Sequence, residues 1–443
     1  MKPILTLLLF VISLSSNAAK KNTGGIWPDG TKIASWFSDK RKVAVDTLGR
    51  QYVITDYGVK NDSTVIQTSR IQAVIDRCAD EGGGVVVIPE GTFLSGSLFF
   101  RQGTHLLVHG KLKGSDRIRD FRLLRTRMEG QTLNYFAALV NADSIDGFVI
   151  SGHGTIDGNG HDYWEEFWYR RMYNPQCTNL EAMRPRLVYI SNSSNVTVQD
   201  IRLVNSPFWT NHLYRSHHVR YLDCHIEAPV KGIVPPGDTE EHGAPSSDAI
   251  DLDACHDVLI SGCYMQVNDD AVVLKGGKGT WADKNPDNGP VCNVMVEDCR
   301  YGVVHGCLTV GSEAIHVRNI IVRNITFNDA NRFLWLKMRP DTPQHYERIR
   351  VENVAGTCGS FLVIRPWRQF YKPEERKDMP LSECHDIDIR NITVSCKNFF
   401  DVGTSDKYSL RDFSFTDCDV TDQRHAFDAG LITNTVTRNL VIK

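Results

Sequence analysis

The sequence predicts an all-β protein, a right-handed parallel β-helix (solenoid) with a capping helix at its N-terminal end. The first observation is a short phrase that recurs from about residue 140: a polar residue, then Asn, Asp or His, then alternating β-forming residues. The second is that each copy alternates with a period of two, which is typical of a strand with one apolar face. The third is an amphipathic stretch of helical period ahead of the repeats.

The repeated phrase marks the coils of the predicted solenoid. A single coil cannot bury its own apolar face, whereas stacked coils form one continuous core. The Asn or Asp before each apolar pair suits a tight turn between strands, because its side chain can bond local backbone. A β-sandwich or a propeller is the alternative, but the Asn-Gly and Asp-Gly hairpin signals of a sandwich are sparse. The copies begin at Ser194, His217, His256, Cys292, Arg318, His385, Arg411 and Arg438.

The N-terminal part of the chain differs from the repeats. Residues 71–78 are amphipathic with a helical period and are followed by a glycine run. A helix here would cover the open end of the first coil, which would otherwise expose unpaired backbone groups. Residues 20–50 carry Trp27 and Trp36 and are expected to wrap the outside of a β-helix formed by residues 51–443.

The bulk properties exclude some classes of protein. The chain has 443 residues, a formal net charge of −3 and a pI near 6.6, so nucleic acid is not an expected partner. Residues 1–19 have the pattern of a signal peptide, with an apolar run too short to span a bilayer. No cysteine follows the cleavage site near Ala18 or Ala19, so a lipid anchor is not indicated. We therefore expect a secreted or periplasmic, soluble monomer.

The twelve cysteines are expected to serve packing. An exported chain could form disulfides, but the spacing is not that of a small disulfide scaffold and no C-x-x-C occurs. Several of the cysteines fall in the repeated phrase, where a small apolar side chain would be buried between stacked strands. Zinc binding by the cysteines is not expected, and no metal or cofactor is predicted.

Two acidic segments are the strongest chemical signal in the chain. Asp248, Asp251 and Asp253 lie in the first segment, and Asp269 and Asp270 in the second. The two segments are separated by about one coil, so they are expected to stack about 4.8 Å apart on adjacent rungs. Crowded carboxylates repel, so at least one keeps its proton near neutral pH. A proton donor beside an ionised partner is what glycosidic bond cleavage needs, although a calcium site or a solvated turn is the alternative.

Four framework segments are distinctive: Asp-Tyr-Gly-Val-Lys at 56–60, Gly-Thr-Ile-Asp-Gly at 154–158, Arg-Pro-Arg at 184–186 and Asn-Ser-Pro-Phe-Trp-Thr at 205–210. They resemble motifs of glycoside hydrolase family 28, the polygalacturonases and rhamnogalacturonan hydrolases. The family's DFGA-type start, GTIDG, RPR and NSPFW blocks are similar to residues 56–60, 154–158, 184–186 and 205–210. The resemblance covers most of the predicted mature chain and implies the β-helix fold.

The chemical motifs of that family also have counterparts. Its NTDGIDPD, GDD, GHG and RIK motifs correspond to residues 246–253, 268–270, 304–306 and 335–337, and its GSE motif resembles residues 311–313. The acids occur in the family's order and spacing. The chain departs from the pattern by Ser-Ser before the first acid, by Val304 and by Trp335.

The resemblance implies an inverting mechanism. Asp269 would be the general acid, and Asp248 and Asp270 would hold and deprotonate the attacking water. Room for that water predicts that acid and base lie about 6.5–9.5 Å apart. His305 would keep a proton near the general acid or bind substrate, and Lys337 would pair with a uronate carboxylate.

Substrate contacts are predicted for Trp335, Arg339, Lys275 and Asp251. Trp335 stands where the family has arginine, and its uncharged face would suit a neutral leaving sugar such as rhamnose. Arg339, on the same strand face, could replace the missing guanidinium. Residues 161–186 and 229–247 are expected to form loops along the groove.

The predicted function is therefore hydrolysis of galacturonosyl linkages in pectin, at galacturonate-to-rhamnose linkages of rhamnogalacturonan. A polygalacturonase acting on homogalacturonan is the first alternative. A β-helix pectin lyase and a non-catalytic glycan-binding solenoid are the others, although the acids are laid out for hydrolysis.

Overall fold

The computed structural model describes residues 25–369 and 374–443, and the predicted signal peptide lies outside these ranges. Twenty-seven strands form one continuous sheet, and every pairing between its named strands is parallel. The sheet is wound into coils, so the predicted right-handed parallel β-helix is confirmed.

Each coil contributes strands to three stacks. The first stack contains Gln51–Val53, Gly84–Ile88, Thr104–Val108, Val149–Ser151, Ser194–Gln199, His217–Leu222, His256–Ser261 and Val291–Glu297. The second contains Thr92–Ser95, Lys111–Gly114, Thr155–Asp157, Arg202–Val204, His225–Glu227, Tyr264–Gln266 and Arg300–Tyr301. The third contains Leu98–Phe100, Val140–Asp143, Val188–Ser191, Asn211–Tyr214, Ile250–Asp253, Val272–Lys275 and Gly306–Val310.

The last coils are built from longer strands. His316–Met338 pairs with members of all three stacks, so it replaces three separate strands by one continuous one. The remaining strands continue this arrangement to the C-terminus: His345–Pro366, Ser382–Val402, Tyr408–Asp422 and Val436–Ile442.

The Asn and Asp residues of the repeated phrase have a left-handed backbone conformation. Asn195, Asp257, Asn293 and Asn319 all have positive φ, which Asn and Asp tolerate better than most residues. Each lies within the first four residues of a strand and is skipped by the pairing register, so the expected turn between strands is instead a kink within the strand. Because each kink repeats on the next coil, Asn293 Nδ2 donates to Asp257 Oδ1 at 3.0 Å.

Helix α1, Thr68–Asp80, lies at the N-terminal end of the solenoid. Its buried face packs into the core and covers the first coil, as the sequence predicts, through Ile71, Val74, Ile75 and Cys78. Trp27 and Phe37 of the N-terminal segment pack on the outer face of the first stack against Leu259 and Met295. Short 3-10 helices occupy Ser35–Ser38, Val45–Leu48, Ile54–Tyr57, Ile118–Asp120, Ala282–Lys284 and Ala429–Leu431.

Three excursions from the coils surround the third stack. Helix α2, His161–Tyr173, lies in a region expected to be a loop throughout. An antiparallel hairpin, Leu123–Met128 with Gln131–Phe136, is the second excursion and has no counterpart in the sequence prediction. The third is the loop 229–247, which contacts α2 because Trp168 Nε1 donates to the Gly243 carbonyl at 2.9 Å.

All twelve cysteines lie in the described ranges, and none forms a disulfide. Eleven are buried and Cys292 is partly buried, which agrees with a packing role. In the part of the chain that the structure describes, neither α1 nor α2 is long and apolar enough to cross a bilayer.

Candidate active site

The two acidic segments meet on adjacent rungs of the third stack. Ile250 is paired with Val272, which brings Asp248 beside Asp269 and Asp270. One oxygen from each of these three carboxylates lies within 4.8 Å of the others. This nearest-oxygen separation is shorter than the expected about 6.5–9.5 Å between acid and base. The site is thus a compact group of three acids.

Between Asp248 and Asp269, Asp248 is the one whose pKa is raised. Burial raises the pKa of Asp248 well above its usual value, and the nearby charges of Asp269 and Asp251 raise it further. Burial also acts to raise the pKa of Asp269, but the nearby imidazole of His305, with the charges of Lys337 and Lys275, lowers it. Asp248 therefore holds a proton more strongly than Asp269, whereas the resemblance implies that Asp269 is the general acid and that Asp248 shares the base role.

His305 is the partner of Asp269. Its Nδ1 lies 3.6 Å from Asp269 Oδ1, and both side chains are partly exposed to the cavity. Burial alone would lower the pKa of His305, but the adjacent carboxylate of Asp269 and the charge of Asp270 raise it. Val304, where the family has glycine, is fully buried in the core, so this departure changes packing and not the cavity wall.

Asp270 has one occupied and one open oxygen. Lys337 Nζ donates to Asp270 Oδ2 at 2.9 Å. The other oxygen, Oδ1, is buried and has no hydrogen-bond partner among the described residues. A Cβ on Gly306 would lie 2.8 Å from Oδ1, so the glycine leaves room beside it. Asp270 Oδ1 is therefore a buried acceptor beside Gly306 with no protein partner among the described residues.

Trp335 lines the cavity but does not offer the open face expected of it. It is 9% exposed. The Arg332 guanidinium and the Lys337 ammonium lie over its ring at 3.9 and 4.0 Å from the centroid. Trp367 packs edge-on against it at 5.2 Å and is only half-buried. The accessible aromatic surface beside Trp335 is thus Trp367, which the sequence analysis missed, and Trp168 of α2 also lines the cavity with a partly exposed ring.

Three further residues predicted to contact substrate have protein partners. Arg339 follows the end of its strand at Met338 and makes a bidentate ion pair with Asp341 at 2.7 and 2.6 Å, so the expected shared strand face is wrong. Lys275 lines the cavity and lies 3.2 Å from Glu313. Asp251 is fully buried and does not line the cavity, so direct substrate contact is wrong for it.

The buried position of Asp251 has a consequence for its ionisation. Neither carboxylate oxygen has a hydrogen-bond partner among the described residues, although Lys275 Nζ is 3.4 Å away. Burial raises the pKa of Asp251 to about 8, and Lys275 offsets only part of that effect.

A cavity of about 280 Å³ opens over the three acids. Arg171 of α2 lines it and donates through Nε and Nη2 to the Cys177 carbonyl. No carboxylate among the described residues pairs with Arg171, so its charge is available to an anionic ligand. The charged residues of the wall are Glu129, Arg171, Asp248, Asp269, Asp270, Lys275, Lys278, His305, Glu313, Lys337 and Arg339.

A second cavity of about 530 Å³ adjoins the first and shares Glu129, Lys278 and Arg339 with it. Lys278 is paired with Glu129 at 3.6 Å, and Arg339 with Asp341 at 2.6 Å. Its wall also presents Trp281, which is 45% exposed. The second cavity therefore offers aromatic and polar surface without an unpaired cation among its described residues.

The chain matches the family model of glycosyl hydrolases family 28 over residues 78–429. It is 25% identical to an endo-polygalacturonase of Pectobacterium parmentieri over 82% of this chain and 85% of that protein. It is also 25% identical to a probable polygalacturonase of Vitis vinifera, of which the match spans only 46%.

Among solved structures, an exopolygalacturonase of Thermotoga maritima superposes with a TM-score of 0.72 and 19% identity. The superposition covers 92% of this chain and 95% of that one, and it supports the fold alone. Because the family model spans most of the sequence and includes all the acids of the site, the chain belongs to glycoside hydrolase family 28.

Proposed function

We propose that the protein hydrolyses galacturonosyl linkages in pectic polysaccharide by single displacement with inversion. The observation that carries the proposal is the group of three carboxylates at the base of a cation-lined cavity. Carboxylates in two protonation states provide the acid and base of glycoside cleavage. Arg171 and Lys337 suit the carboxylate of a galacturonate, and the polygalacturonases among the relatives support that substrate class.

The proposed chemistry assigns one task to each acid. Asp269, the acid most open to the cavity, gives a proton to the glycosidic oxygen as its bond to the anomeric carbon breaks. Asp270 Oδ1 takes a proton from the water whose oxygen bonds to that carbon. Asp248 stores the proton that reaches Asp269 before the step. Afterwards the proton gained by Asp270 replaces the one that Asp248 gave up. The three carboxyls thus regain their starting number of protons, and the net reaction adds one water.

His305 supports the proton supply to Asp269. Its raised pKa keeps the imidazolium beside the general acid at mildly acidic pH. Its position 3.6 Å from Asp269 Oδ1 favours the carboxylate form of Asp269 before substrate binds. A substrate oxygen near Asp269 would replace bulk water at this carboxyl, and the proton can then pass from Asp248 or His305.

For the leaving sugar we propose a neutral residue, as at a galacturonate-to-rhamnose linkage. The wall next to His305 presents the indoles of Trp335 and Trp367 and not the guanidinium of the family motif. A half-exposed indole such as Trp367 suits the apolar face of a deoxy sugar.

A polygalacturonate substrate is the second candidate, and one contact favours it. Arg332 lies over Trp335 at 3.9 Å and has no carboxylate partner among the described residues. Its guanidinium could move to bind the carboxylate of a galacturonate on the leaving side.

The experiment compares kcat/KM on rhamnogalacturonan oligosaccharides and on oligogalacturonides. The wild type is expected to prefer the former, and Trp367→Ala to lose about tenfold on them. Trp335→Arg is expected to shift preference towards oligogalacturonides. Tyr173→Ala removes a 74% exposed aromatic outside the cavity and serves as the control. A wild type that prefers oligogalacturonides, with no shift in Trp335→Arg, would make the protein a polygalacturonase.

We also propose that the protein is exported and acts as a monomer on cell-wall pectin. The signal-peptide pattern of residues 1–19 supports export. Cell fractionation of the full chain and of a variant lacking these residues tests it, and retention of both inside the cell would refute it.

A further inference from the structure

Three metal-ligating side chains converge far along the chain from the acids. His345 begins one long strand and is paired with Glu383 at the start of the next, while His385 lies two residues further on. Residues two apart on a strand point to the same face, so all three project outward together. His345 Nε2 lies 2.8 Å from His385 Nε2, and Glu383 Oε2 lies 3.7 and 3.8 Å from these two nitrogens.

We propose that His345, Glu383 and His385 bind a divalent transition-metal ion, with zinc as the best fit. A point equidistant from the three ligand atoms lies about 2.0 Å from each of them, which is the usual zinc bond length to imidazole nitrogen and carboxylate oxygen. Two histidines and one glutamate are a known zinc ligand set that leaves further positions for water. The side chains of His345 and Glu383 are each 40% exposed, so water and ions reach the site.

The surroundings hold the two imidazoles in the form that binds metal. His385 Nδ1 lies 2.9 Å from Asp386 Oδ2, and a proton donated there leaves the Nε2 lone pair for the metal. His316 stacks on His345 at 5.0 Å, nearly parallel, and fixes its ring plane.

The position of the ligands indicates what the ion would do. His345 follows the loop that contains Arg339, and Glu383 follows the loop that begins after Pro366 and contains Trp367 and Gln369. Both loops contribute to the wall of the catalytic cavity. An ion bridging His345 to Glu383 and His385 would therefore join the ends of the two loops and fix the wall that Trp367 forms. This is a structural role, separate from proton transfer.

The test uses the untagged protein after treatment with a chelator and dialysis. On titration with zinc we expect one ion per chain, measured by elemental analysis, and a rise of a few degrees in Tm at saturating zinc. Glu383→Gln and His345→Gln are expected to weaken zinc binding at least tenfold. The matched control is His256→Gln, since His256 stacks on His217 at 4.8 Å in a similar histidine ladder without the converging glutamate.

Metal content is read out independently of activity, so the proposal is tested even if the proposed substrate is wrong. A chain that binds no zinc at about 100-fold excess, or zinc retained by both variants, would overturn it. Loss of zinc in His256→Gln as well would place the ion elsewhere and also overturn it. A structural role further predicts that the chelated protein has a raised KM for its glycan with kcat less affected, and that zinc restores KM in the wild type and in His256→Gln but not in Glu383→Gln or His345→Gln.

Discussion

Lys337 Nζ lies 2.9 Å from Asp270 Oδ2, so the cation that the sequence assigns to the substrate is held by a catalytic carboxylate. The same ammonium lies over the ring of Trp335, 4.0 Å from its centroid. We therefore expect two tasks for Lys337: it positions Asp270, and as part of the cavity wall its ammonium can also bind the carboxylate of the proposed substrate. The two tasks have different kinetic signatures.

Lys337→Met is expected to lower kcat as well as raise KM. A residue that only binds the ground-state carboxylate would change KM alone, whereas loss of the Asp270 partner also displaces the base. We expect at least a tenfold fall in kcat. Lys278→Met is the matched control, because Lys278 lines the same cavity but pairs with Glu129. An unchanged kcat in Lys337→Met would show that Asp270 does not depend on Lys337.

Asp269→Asn is expected to reduce kcat by about 10² to 10⁴-fold, since an amide cannot deliver the proton. The fold should remain, because Asp269 is partly exposed and the amide is nearly isosteric. Asp406→Asn, at a side chain 82% exposed, is the control. Steady-state kinetics with a Tm for each variant provide the measurement, and wild-type activity in Asp269→Asn would remove it from the role of general acid.

Gly306→Ala is expected to reduce activity more than stability. The new Cβ would lie 2.2 Å from Thr309 Oγ1 and 2.8 Å from Asp270 Oδ1, so Asp270 must move. Adding Thr309→Ala relieves the first contact and is expected to restore Tm but not kcat. Gly403→Ala, whose Cβ would meet nothing closer than 3.5 Å, is the control. Recovery of kcat in the double variant would show that Asp270 Oδ1 is not the water acceptor.

Asp251→Asn is expected to stabilise the protein, and the gain should grow with pH. The folded-state pKa of Asp251 is raised to about 8, so its contribution is full at acidic pH and is lost as pH rises towards that value. The amide does not titrate, so the difference in unfolding free energy should increase between about pH 4 and 8, by at most ~1.4 kcal/mol per pH unit.

Asp253→Asn is the control for this experiment, because it is expected to lower the free energy of unfolding instead of raising it. Burial acts to raise the pKa of Asp253, but its ion pair with Arg127 and its contact with His212 lower it. Replacing it leaves the buried Arg127 charge uncompensated, which costs about 3–5 kcal/mol. Chemical denaturation at several pH values measures both variants. A stability difference for Asp251→Asn that does not change with pH would contradict the raised pKa.

The repeats predicted the fold because stacking repeats the same constraint on every coil. The period-two pattern and the kink at residues such as Asn293 and Asp257 determine which residues share a face. The spacing of Asp248 and Asp269 therefore predicted their meeting on adjacent rungs. What could not be predicted is the partner that each long side chain selects. Lys337 contacts Asp270 of another coil, and Arg332 and Lys337 of the same strand lie over Trp335, because spacing along a strand does not determine side-chain conformation.

The segments that leave the coils were the other part of the structure that could not be predicted from the sequence. Helix α2 supplies Arg171, yet its only signal was that the segment is rich in Trp, Tyr and Arg. Trp367 directly follows a strand that ends at Pro366 and lies outside the recognised motifs, so no motif spacing predicted its place in the cavity wall. His385 appeared in the repeated phrase, but its convergence with His345 depends on the intervening loop, whose length hides the pairing.

The anomeric configuration of the first product tests the central claim most directly. The three carboxylates are closer together than the usual inverting pair, and separation alone would favour a retaining enzyme. In the proposed mechanism the anomeric carbon is nevertheless attacked by a water held by Asp270 Oδ1, and no covalent glycosyl–enzyme forms. Proton NMR during the first turnover events should therefore show a galacturonate whose configuration is opposite to that of the cleaved linkage. A first product that keeps the original configuration would contradict the account.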